Sequence, residues 1–302
     1  MMMKRPRKGI PKRKRPRETS SSSVEKPGPI WTRPQGEGPI HPELDAQLAK
    51  PFLATIYIDT AHGFRFPLGP GAGADAIMEG LHKRMLNRYF RGVRLPEMRM
   101  SDSSSFRLPS SKLDGARADR VLEECIRTGK APPGPGQRGC SDYATAVWQW
   151  WRDHGHVPVL AQLPVILGRF NVATAGDYFT IHRCPITQKC TLWLWELKTG
   201  WPVVPKKPGI MAPPLAAVWL TPENRWQLQV LLTRLAYERE LGIHIDGGAR
   251  VIHVWKQRDE TKTRYECQVS VVEPGELKPA NWTRWVDEDT LYESLSSSTY
   301  KK

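Results

Sequence analysis

Glu196 and Lys198 are residues whose types and spacing could support catalysis. They lie in the segment LWLWELKTG (residues 192–200), whose alternating pattern predicts a β-strand. Side chains two residues apart on a strand point to the same face, about 6–7 Å apart, so both charges share the face of Leu192 and Leu194. The predicted strand therefore has an apolar face that becomes charged at its carboxyl end. An ordinary ion pair at a strand end also gives this pattern.

Asp177 supplies a second carboxylate on the preceding predicted strand. In VATAGDYFTI it shares a face with apolar side chains, and a turn near residues 184–190 would bring it beside Glu196. Two converging carboxylates repel each other unless a cation lies between them. Mg²⁺ and Mn²⁺ accept such oxygen ligands, and the Lys198 ammonium could orient a bound water or offset charge on a phosphate. The three side chains thus predict metal-dependent hydrolysis of a phosphoester.

The order of these residues resembles the PD-(D/E)XK nuclease superfamily, in its RecB-like or lambda-exonuclease-like branch. Asp177 is followed nineteen residues later by Glu196-x-Lys198 and then by a helical segment that contains Gln, and the resemblance covers residues 111–272. It implies a restriction-endonuclease-like α/β core, in which helices flank a mixed central β-sheet. It also implies cleavage of DNA with Mg²⁺ or Mn²⁺ held by Asp177, Glu196 and the Leu197 carbonyl, while Lys198 positions the attacking water.

A predicted helix at residues 114–129 carries a second motif. Its Gly115-x-x-x-Asp119 resembles the Gly-x-x-x-His of the branch, with Asp in place of the His. At 100° per residue, Asp119 falls near the helix face of Leu122 and Ile126. The resemblance therefore implies that Asp119 ligates the metal or orients its ligands. The alternative is an Asp near a helix start, which the helix dipole favours without any metal.

The long helix predicted for residues 221–242 offers two glutamines. Gln227 and Gln229 flank its leucine stripe on opposite sides, so helix geometry does not choose between them. The family pattern, in which Gln stands four residues before Thr or Tyr, fits Gln229 with Thr233. The resemblance therefore favours Gln229 as the residue that orders Lys198 or the water.

One position departs from the family pattern. Many members carry a Glu in the strand before the Asp, where this chain has Gln162. An amide oxygen can still ligate a metal but adds no charge, so Asp177 and Glu196 are the firm acids. The alternative interpretation is therefore a catalytically inactive, nucleic-acid-binding protein that keeps the nuclease fold.

Four further residues are candidates for contacts with nucleic acid. Trp201 follows the Glu196 strand directly and could stack on a base, with a place in the core as the alternative. Lys206, Lys207 and Arg225 could hold phosphates. A solvated surface position is the alternative for each of these three.

Basic residues are concentrated at the start of the chain. The net charge is +14, yet residues 4–17 hold nine Lys and Arg and no acid, and the rest has 36 basic and 31 acidic residues. Two clusters, Lys4 to Lys8 and Lys12 to Arg15, are typical of nuclear-localisation signals, which predicts a nuclear import receptor as partner and the nucleus as location. The alternative is a solvated tail that tethers nucleic acid.

Composition divides the chain into three predicted parts. Residues 1–45 are basic and then rich in Ser, Pro and Gly, which predicts a disordered tail. Residues 46–290 are expected to form a single α/β nuclease-like domain, and residues 291–302 a flexible tail. No apolar run approaches the roughly 20 residues that cross a bilayer, so no membrane association is predicted.

Hydrophobic periodicity predicts both strands and helices inside the domain. The predicted strands are 52–58, 157–167, 171–182, 191–198, 249–257 and 265–273, and the predicted helices are 74–90, 114–129, 142–154 and 221–242. With the resemblance, the sequence predicts a metal-dependent DNA nuclease, an exonuclease by analogy with the branch. Its expected role is DNA recombination, repair or viral replication.

Overall fold

The structure is a computed structural model that describes residues 30–31, 57–59, 63–66, 76–90, 111–134, 137–187, 189–200, 210–215, 218–258, 265–272 and 287–296. Its strands are β1 (Ile30–Trp31), β2 (Tyr57–Asp59), β3 (Gly63–Phe66), β4 (Ala76–Gly80), β5 (His156–Leu167), β6 (Val172–Arg183), β7 (Cys190–Thr199), β8 (Gly248–Arg258) and β9 (Tyr265–Val272). Its α-helices are α1 (Leu81–Tyr89), α2 (Ser111–Thr128), α3 (Asp142–Asp153), α4 (Pro222–Ala236) and α5 (Glu288–Glu293).

A mixed β-sheet with helices on both faces forms the body of the protein, as the predicted α/β class requires. Along the sheet the strands follow the order β2-β3-β4-β6-β7-β8-β9. The pairs β4–β6 and β7–β8 are parallel, whereas β5–β6, β6–β7 and β8–β9 are antiparallel. The fold class predicted from the sequence is therefore confirmed at the level of an α/β core with a mixed sheet.

Strand β6 divides one of its edges between two neighbours. Strand β5 pairs with β6 along the whole of the opposite edge, from Val172 to His182. On the remaining edge, β4 pairs only at Val172 and Ala173, and β7 pairs only from Tyr178 onwards. The backbone between these two contacts, residues 174–177, therefore lies in a fork of the sheet.

Successive side chains of β7 point to opposite faces of the sheet and therefore pack in two separate hydrophobic cores. Leu192 and Leu194 belong to the core that α1 and α4 cover, while Trp195 and Leu197 belong to the core beneath α2 and α3. The two leucines on one face are buried, and so are Trp195 and Leu197 on the other, so β7 is covered on each face. The side chains of Glu196 and Lys198 consequently face α4.

Capping residues set the beginnings of the two helices that flank β7. Ser141 begins α3, and its hydroxyl accepts a hydrogen bond from the Ala144 amide at 3.3 Å. Thr221 begins α4 in the same way, with the Asn224 amide at 3.2 Å, and Pro222 follows at the first helical position. Both starts follow from residues that favour helix N-termini, and both helices were predicted from the sequence.

One predicted element is wrong in part. The predicted helix 74–90 begins only at Leu81, because Ala76–Gly80 forms β4 and pairs with both β3 and β6. The predicted strand 52–58 agrees with the structure at Tyr57–Asp59, and its residues 52–56 lie outside the described residues. Sheet pairing overrides local helix preference in β4, since a strand neighbour distant in sequence supplies the backbone hydrogen bonds.

Both predicted tails contain ordered pieces. Residues 291–302 were predicted to be flexible, but α5 and the turn that follows it reach Ser296, with Leu291, Tyr292 and Leu295 buried. The apolar spacing of these three residues lets one face of a short helix pack on the domain. Within the predicted disordered tail 1–45, β1 pairs with Leu160 and Ala161 of β5, and the rest of that tail lies outside the described residues.

None of the helices in the described ranges has the length and apolar character needed to cross a membrane.

His156 is a buried titratable residue at the edge of the core beneath α3. Its Nδ1 lies 3.0 Å from the Thr180 hydroxyl, which also accepts a hydrogen bond from the Trp195 indole at 2.7 Å. Burial is the main cause that lowers the pKa of His156 to about 4, and the nearby His182, His154 and Arg250 contribute to the same shift. The imidazole is therefore neutral in the folded protein at neutral pH.

This environment predicts a stability that depends on His156 below neutral pH. The unfolded state binds a proton with a pKa near 6.5, whereas the folded state does so only near 4. Stability should therefore be fully present above about pH 6.5 and decrease as the pH falls towards 4. Urea unfolding of His156→Gln should show a shallower loss over this range, and a slope equal to that of the wild type would contradict the assignment. Exposed His244→Gln is the control.

Candidate active site

The candidate site lies where β6 and β7 separate. Their backbone pairing ends at Tyr178 and Trp195, so continuing the register places Asp177 opposite Glu196. Beyond that point, the side chain of Asp177, rather than the backbone of β6, accepts the hydrogen bond from β7. The Leu197 amide donates a hydrogen bond to Asp177 Oδ2 at 2.8 Å. The predicted hairpin thus brings the two carboxylates to facing positions at the fork.

Glu196 is the centre of a three-residue hydrogen-bonded cluster. Its Oε1 accepts a hydrogen bond from Lys198 Nζ at 2.5 Å and another from Gln229 Nε2 at 2.6 Å. Lys198 Nζ also lies 3.4 Å from Gln229 Oε1. Since Glu196 is only 3% exposed, its charge needs these donors.

The structure distinguishes the two glutamines that helix geometry left open. Gln229 of α4 reaches the cluster, whereas Gln227 is 1% exposed and points elsewhere. Within the described ranges, neither polar atom of the Gln227 side chain has a hydrogen-bond partner. Gln229 is therefore the glutamine that contacts both Glu196 and Lys198.

Asp177 is held in a strongly unfavourable environment for a negative charge. Burial raises the pKa of its carboxyl well above the ordinary value, and the neighbouring Glu196 raises it further. The Lys198 ammonium and the Leu197 amide oppose this effect, and Asp119 adds a smaller repulsion. In the absence of a cation, the fork therefore favours a protonated Asp177.

Gln162 faces Asp177 from the other side. It lies between Ala161, which pairs with Tyr178, and Leu163, which pairs with Gly176. Its Nε2 is 3.5 Å from Asp177 Oδ1, at the limit of a hydrogen bond. Gln162 has a φ of 54°, in the left-handed region that non-glycine residues rarely adopt. Strain of this kind concentrates at functional sites, and here it sets the position of the amide beside the carboxylate.

Asp119 approaches the site from α2 through an intermediary. Its Oδ1 accepts a hydrogen bond from the Tyr178 hydroxyl at 2.8 Å. Tyr178 follows Asp177 on β6 and therefore points to the opposite face of the sheet. Asp119 is close enough to raise the Asp177 pKa, but its carboxylate accepts a hydrogen bond from the tyrosine. The predicted role as a metal ligand stays a prediction.

Gly115 allows α2 to approach the end of β7 closely. A Cβ placed on Gly115 would lie 2.6 Å from the Thr199 hydroxyl oxygen, which is closer than real Cβ contacts. Asp119 stands one helical turn further along α2. The glycine of the Gly-x-x-x-Asp motif therefore determines how near Asp119 lies to the strand that carries Glu196 and Lys198.

Tyr237 joins the backbones of β5 and β6 beneath the site. Its hydroxyl accepts a hydrogen bond from the Gly176 amide at 2.6 Å and donates one to the Leu163 carbonyl. The tyrosine begins a π-helical turn, Tyr237–Leu241, at the end of α4. Such turns are often found near functional sites, and this one brings the hydroxyl next to the residue that precedes Asp177.

Two basic groups extend the site beyond the cluster. Arg225 lies one turn before Gln229 on α4, and its half-buried guanidinium has a lowered pKa because of burial. In the part of the chain that the structure describes, its buried Nε has no hydrogen-bond partner. On α1, burial and the neighbouring Lys198 and Arg225 lower the pKa of His82 to about 4.

His82 is a site neighbour that the sequence did not reveal. Its spacing in GLHKRM matches no metal or catalytic motif, and only the tertiary packing of α1 near α4 brings it close to Lys198. Three other predicted residues, Trp201, Lys206 and Lys207, lie outside the described residues. Of the four predicted nucleic-acid contacts, the structure therefore describes Arg225 alone.

The oxygen donors at the fork suit a hard divalent cation. They are the Asp177 and Glu196 carboxylates, the Gln162 amide, and the carbonyl of Leu197, whose amide on the same strand edge already reaches Asp177. The raised Asp177 pKa is what an uncompensated carboxylate pair would show. Among the described residues, however, no group of three or more His, Cys, Asp or Glu side chains converges. Asp177 and Glu196 form a pair.

Gly115→Ala tests the close contact between α2 and β7. The added methyl should collide with the Thr199 hydroxyl and destabilise the protein by about 1–3 kcal/mol, despite the better helix propensity of Ala. Adding Thr199→Ala removes the colliding oxygen and should restore most of the lost stability. Urea unfolding of both variants measures the effect. A single variant as stable as the wild type would contradict the close approach.

Asp177→Asn tests the cost of the carboxylate pair. Because the folded-state pKa of Asp177 is raised, the folded protein binds more protons than the unfolded chain, so its stability should fall as pH rises from about 4. Without divalent metal, the variant should therefore be the more stable protein at pH 7–8, and the difference should vanish near pH 4. Unfolding in EDTA measures this, with exposed Asp153→Asn as the control. A variant less stable than the wild type at pH 8 would contradict it.

The chain matches no protein-family model and no curated protein.

Proposed function

We propose that the protein is a metal-dependent DNA nuclease that hydrolyses phosphodiester bonds. The observation that carries the proposal is the convergence of Asp177, Glu196 and Lys198 at one fork of the sheet, with Gln229 against them. An acid pair with an amine suits phosphoester hydrolysis, because the acids hold a cation and the amine offsets developing negative charge.

The proposed metal is Mg²⁺ or Mn²⁺. Asp177, Glu196 and the Leu197 carbonyl would hold it, in line with the resemblance and with the all-oxygen donor set. When bound, the metal supplies a Lewis acid and lowers the pKa of coordinated water. Asp119 would support the pair from behind Tyr178, which the hydrogen bond between the two residues favours.

Lys198 and Gln229 have distinct proposed tasks. Lys198 places an ammonium at the mouth of the fork, where it can orient the attacking water and face the scissile phosphate. Gln229 donates to Glu196 and lies 3.4 Å from Lys198 Nζ, so it fixes the orientation of both side chains. A fixed ammonium needs little reorganisation during the reaction, which is the main source of electrostatic catalysis.

The proposed substrate is DNA, held through its phosphates. Arg225 supports this assignment because a half-buried guanidinium, whose Nε has no hydrogen-bond partner among the described residues, is suited to an anionic ligand. Lys206, Lys207 and Trp201 stay proposed contacts. Exonuclease action in recombination, repair or viral replication, import by a nuclear receptor, and location in the nucleus are proposed from the resemblance and the basic clusters.

A catalytically inactive nucleic-acid-binding protein is the second candidate. Two observations favour it: Gln162 stands where the resembled family has an acid, and Lys198 is ion-paired directly with Glu196. A protein with only these two carboxylates, and with Lys198 paired to one of them, could keep the fold and bind phosphates without hydrolysing them.

Cleavage of labelled DNA separates the two candidates. Wild type with Mg²⁺ or Mn²⁺ should cut single- or double-stranded DNA, and EDTA should abolish cutting. Lys198→Ala should lower the rate about 10²–10⁴-fold, since it removes the group that faces the developing charge, while DNA affinity stays within threefold. Glu196→Gln should lose cleavage as well.

Matched controls keep this test interpretable. Lys189→Ala removes an equally charged but exposed side chain in the β6–β7 turn and should cut like the wild type. Thermal unfolding of each variant identifies those that fail to fold. A wild-type protein that binds DNA but shows no metal-dependent cleavage would favour the binding protein and overturn the nuclease.

A further inference from the structure

The face of the sheet that carries Lys198 continues onto the two strands beyond β7. Lys198 pairs with His253 of β8, and His253 pairs with Ser270 of β9, so these three side chains form one row on the α4 face. The next row outward contains Trp255 and its partner Gln268. His253 is buried, whereas the other residues of both rows on β8 and β9 are partly exposed. The candidate site is therefore bordered on this side by a partly exposed aromatic and polar surface.

Three rings, Trp226, His253 and Trp255, form an aromatic ladder that leads outward from the start of α4. Trp226 packs against His253 with ring centroids 5.2 Å apart. His253 stacks on Trp255 with centroids 4.8 Å apart and 21° between the ring planes. Among the described residues, His253 is the one aromatic ring stacked on Trp255. The indole is thus held by a buried ring on one side, while part of the residue stays exposed to solvent.

The aromatic ladder is fixed to the end of β7. His253 Nε2 donates a hydrogen bond to the Gly200 carbonyl, and the Gly200 amide donates one to the Val254 carbonyl at 2.9 Å. Because Gly200 follows Lys198 by two residues, the orientation of the imidazole and the course of β7 depend on each other. Trp255 lies two residues beyond the partner of Lys198 on the neighbouring strand, so the two Cα atoms are about 8 Å apart. A firmly held indole therefore stands close to the side chain proposed to face the scissile phosphate.

We propose that the exposed part of Trp255 is a platform on which one unpaired base of a DNA strand stacks, beside the phosphate that Lys198 faces. This role rests on the proposed nuclease function and narrows its substrate to single-stranded DNA or a frayed duplex end, because a base stacked inside a duplex has no free face. Sites for single strands combine aromatic rings, which hold bases of any sequence, with cations that follow the backbone. Here the cations are Lys198 and Arg225, which directly precedes Trp226 on α4.

Two strands that differ only in their bases isolate the stacking contact. Oligo-dT and a fully abasic strand, each about twelve nucleotides long, carry the same phosphates, and fluorescence anisotropy in Ca²⁺ measures the affinity of the full-length protein for both. Trp255→Leu should bind oligo-dT about tenfold more weakly than the wild type but the abasic strand within twofold. Trp255→Phe keeps a flat ring and should stay within threefold on both strands. Equal loss on both strands, or loss on neither, would overturn the platform.

Trp193→Leu is the matched control. Trp193 is also partly exposed, but its side chain points to the opposite face of the sheet, where the Arg250 guanidinium lies 4.3 Å from the centroid of its ring. This variant should bind both strands like the wild type, and thermal unfolding identifies any variant that fails to fold. A loss of oligo-dT affinity as large as that of Trp255→Leu would overturn the assignment to Trp255.

Photochemical cross-linking of the wild type does not depend on the folding of any variant. A strand that contains 5-bromodeoxyuridine, irradiated in the complex, should attach to the tryptic peptide VIHVWK (residues 251–256), and mass spectrometry should locate the attachment at Trp255. Attachment only to other peptides would overturn the platform.

A parallel cleavage assay in Mg²⁺ distinguishes this failure from that of the proposed function. A wild type that prefers oligo-dT to the abasic strand through Trp255, but cuts no DNA, would overturn the nuclease and keep the platform. Metal-dependent cleavage, with equal oligo-dT affinities for the wild type and Trp255→Leu, would overturn the platform and keep the nuclease. A wild type that binds no DNA would overturn both.

Discussion

The repulsion between two partly buried carboxylates is the constraint on which the site depends. Asp177 and Glu196 face each other where β6 and β7 separate, and burial makes each charge costly. The protein offsets this cost with a separate donor for each acid, the Leu197 amide for Asp177, and Lys198 with Gln229 for Glu196. These donors offset the repulsion and the burial only in part, as the raised pKa of Asp177 indicates. A cation between two such carboxylates would offset their repulsion.

The surrounding fold keeps this strained pair in place from both faces of the sheet. Helix α4 supplies Gln229 and ends in the π-helical turn that places the Tyr237 hydroxyl against Gly176. On the opposite face, Gly115 lets α2 pack on the end of β7. A closely packed interior transmits small displacements, so residues outside the carboxylate pair still determine the geometry of the two acids.

Local pattern predicted much of the site because its main residues come from regular elements. The period-2 alternation of β7 placed Glu196 and Lys198 on one face, and the short turn before it brought Asp177 opposite. The choice of Gln229 over Gln227 needed the resemblance, since the angles around a helix axis are equivalent for both. These features depend on neighbours close in sequence.

The features that pattern did not predict depend on contacts between distant parts of the chain. Strand β4 pairs with β6, more than ninety residues later in sequence, and His82 comes near Lys198 only through helix packing. The left-handed backbone of Gln162 has no sequence signal, because Gln ordinarily avoids it. The burial of Leu291, Tyr292 and Leu295 likewise could not be predicted from three apolar residues alone, because it depends on the surface on which they pack.

The pairing of Ile30 and Trp31 with β5 has a consequence for the solubility of shortened forms. An exposed strand edge is a template for association with other strands, and β1 covers part of that edge at Leu160 and Ala161. A version that starts at residue 46, the boundary that composition alone suggests, would leave this backbone uncovered. Self-association of such a protein would then reflect a missing strand partner rather than a failure of the core to fold.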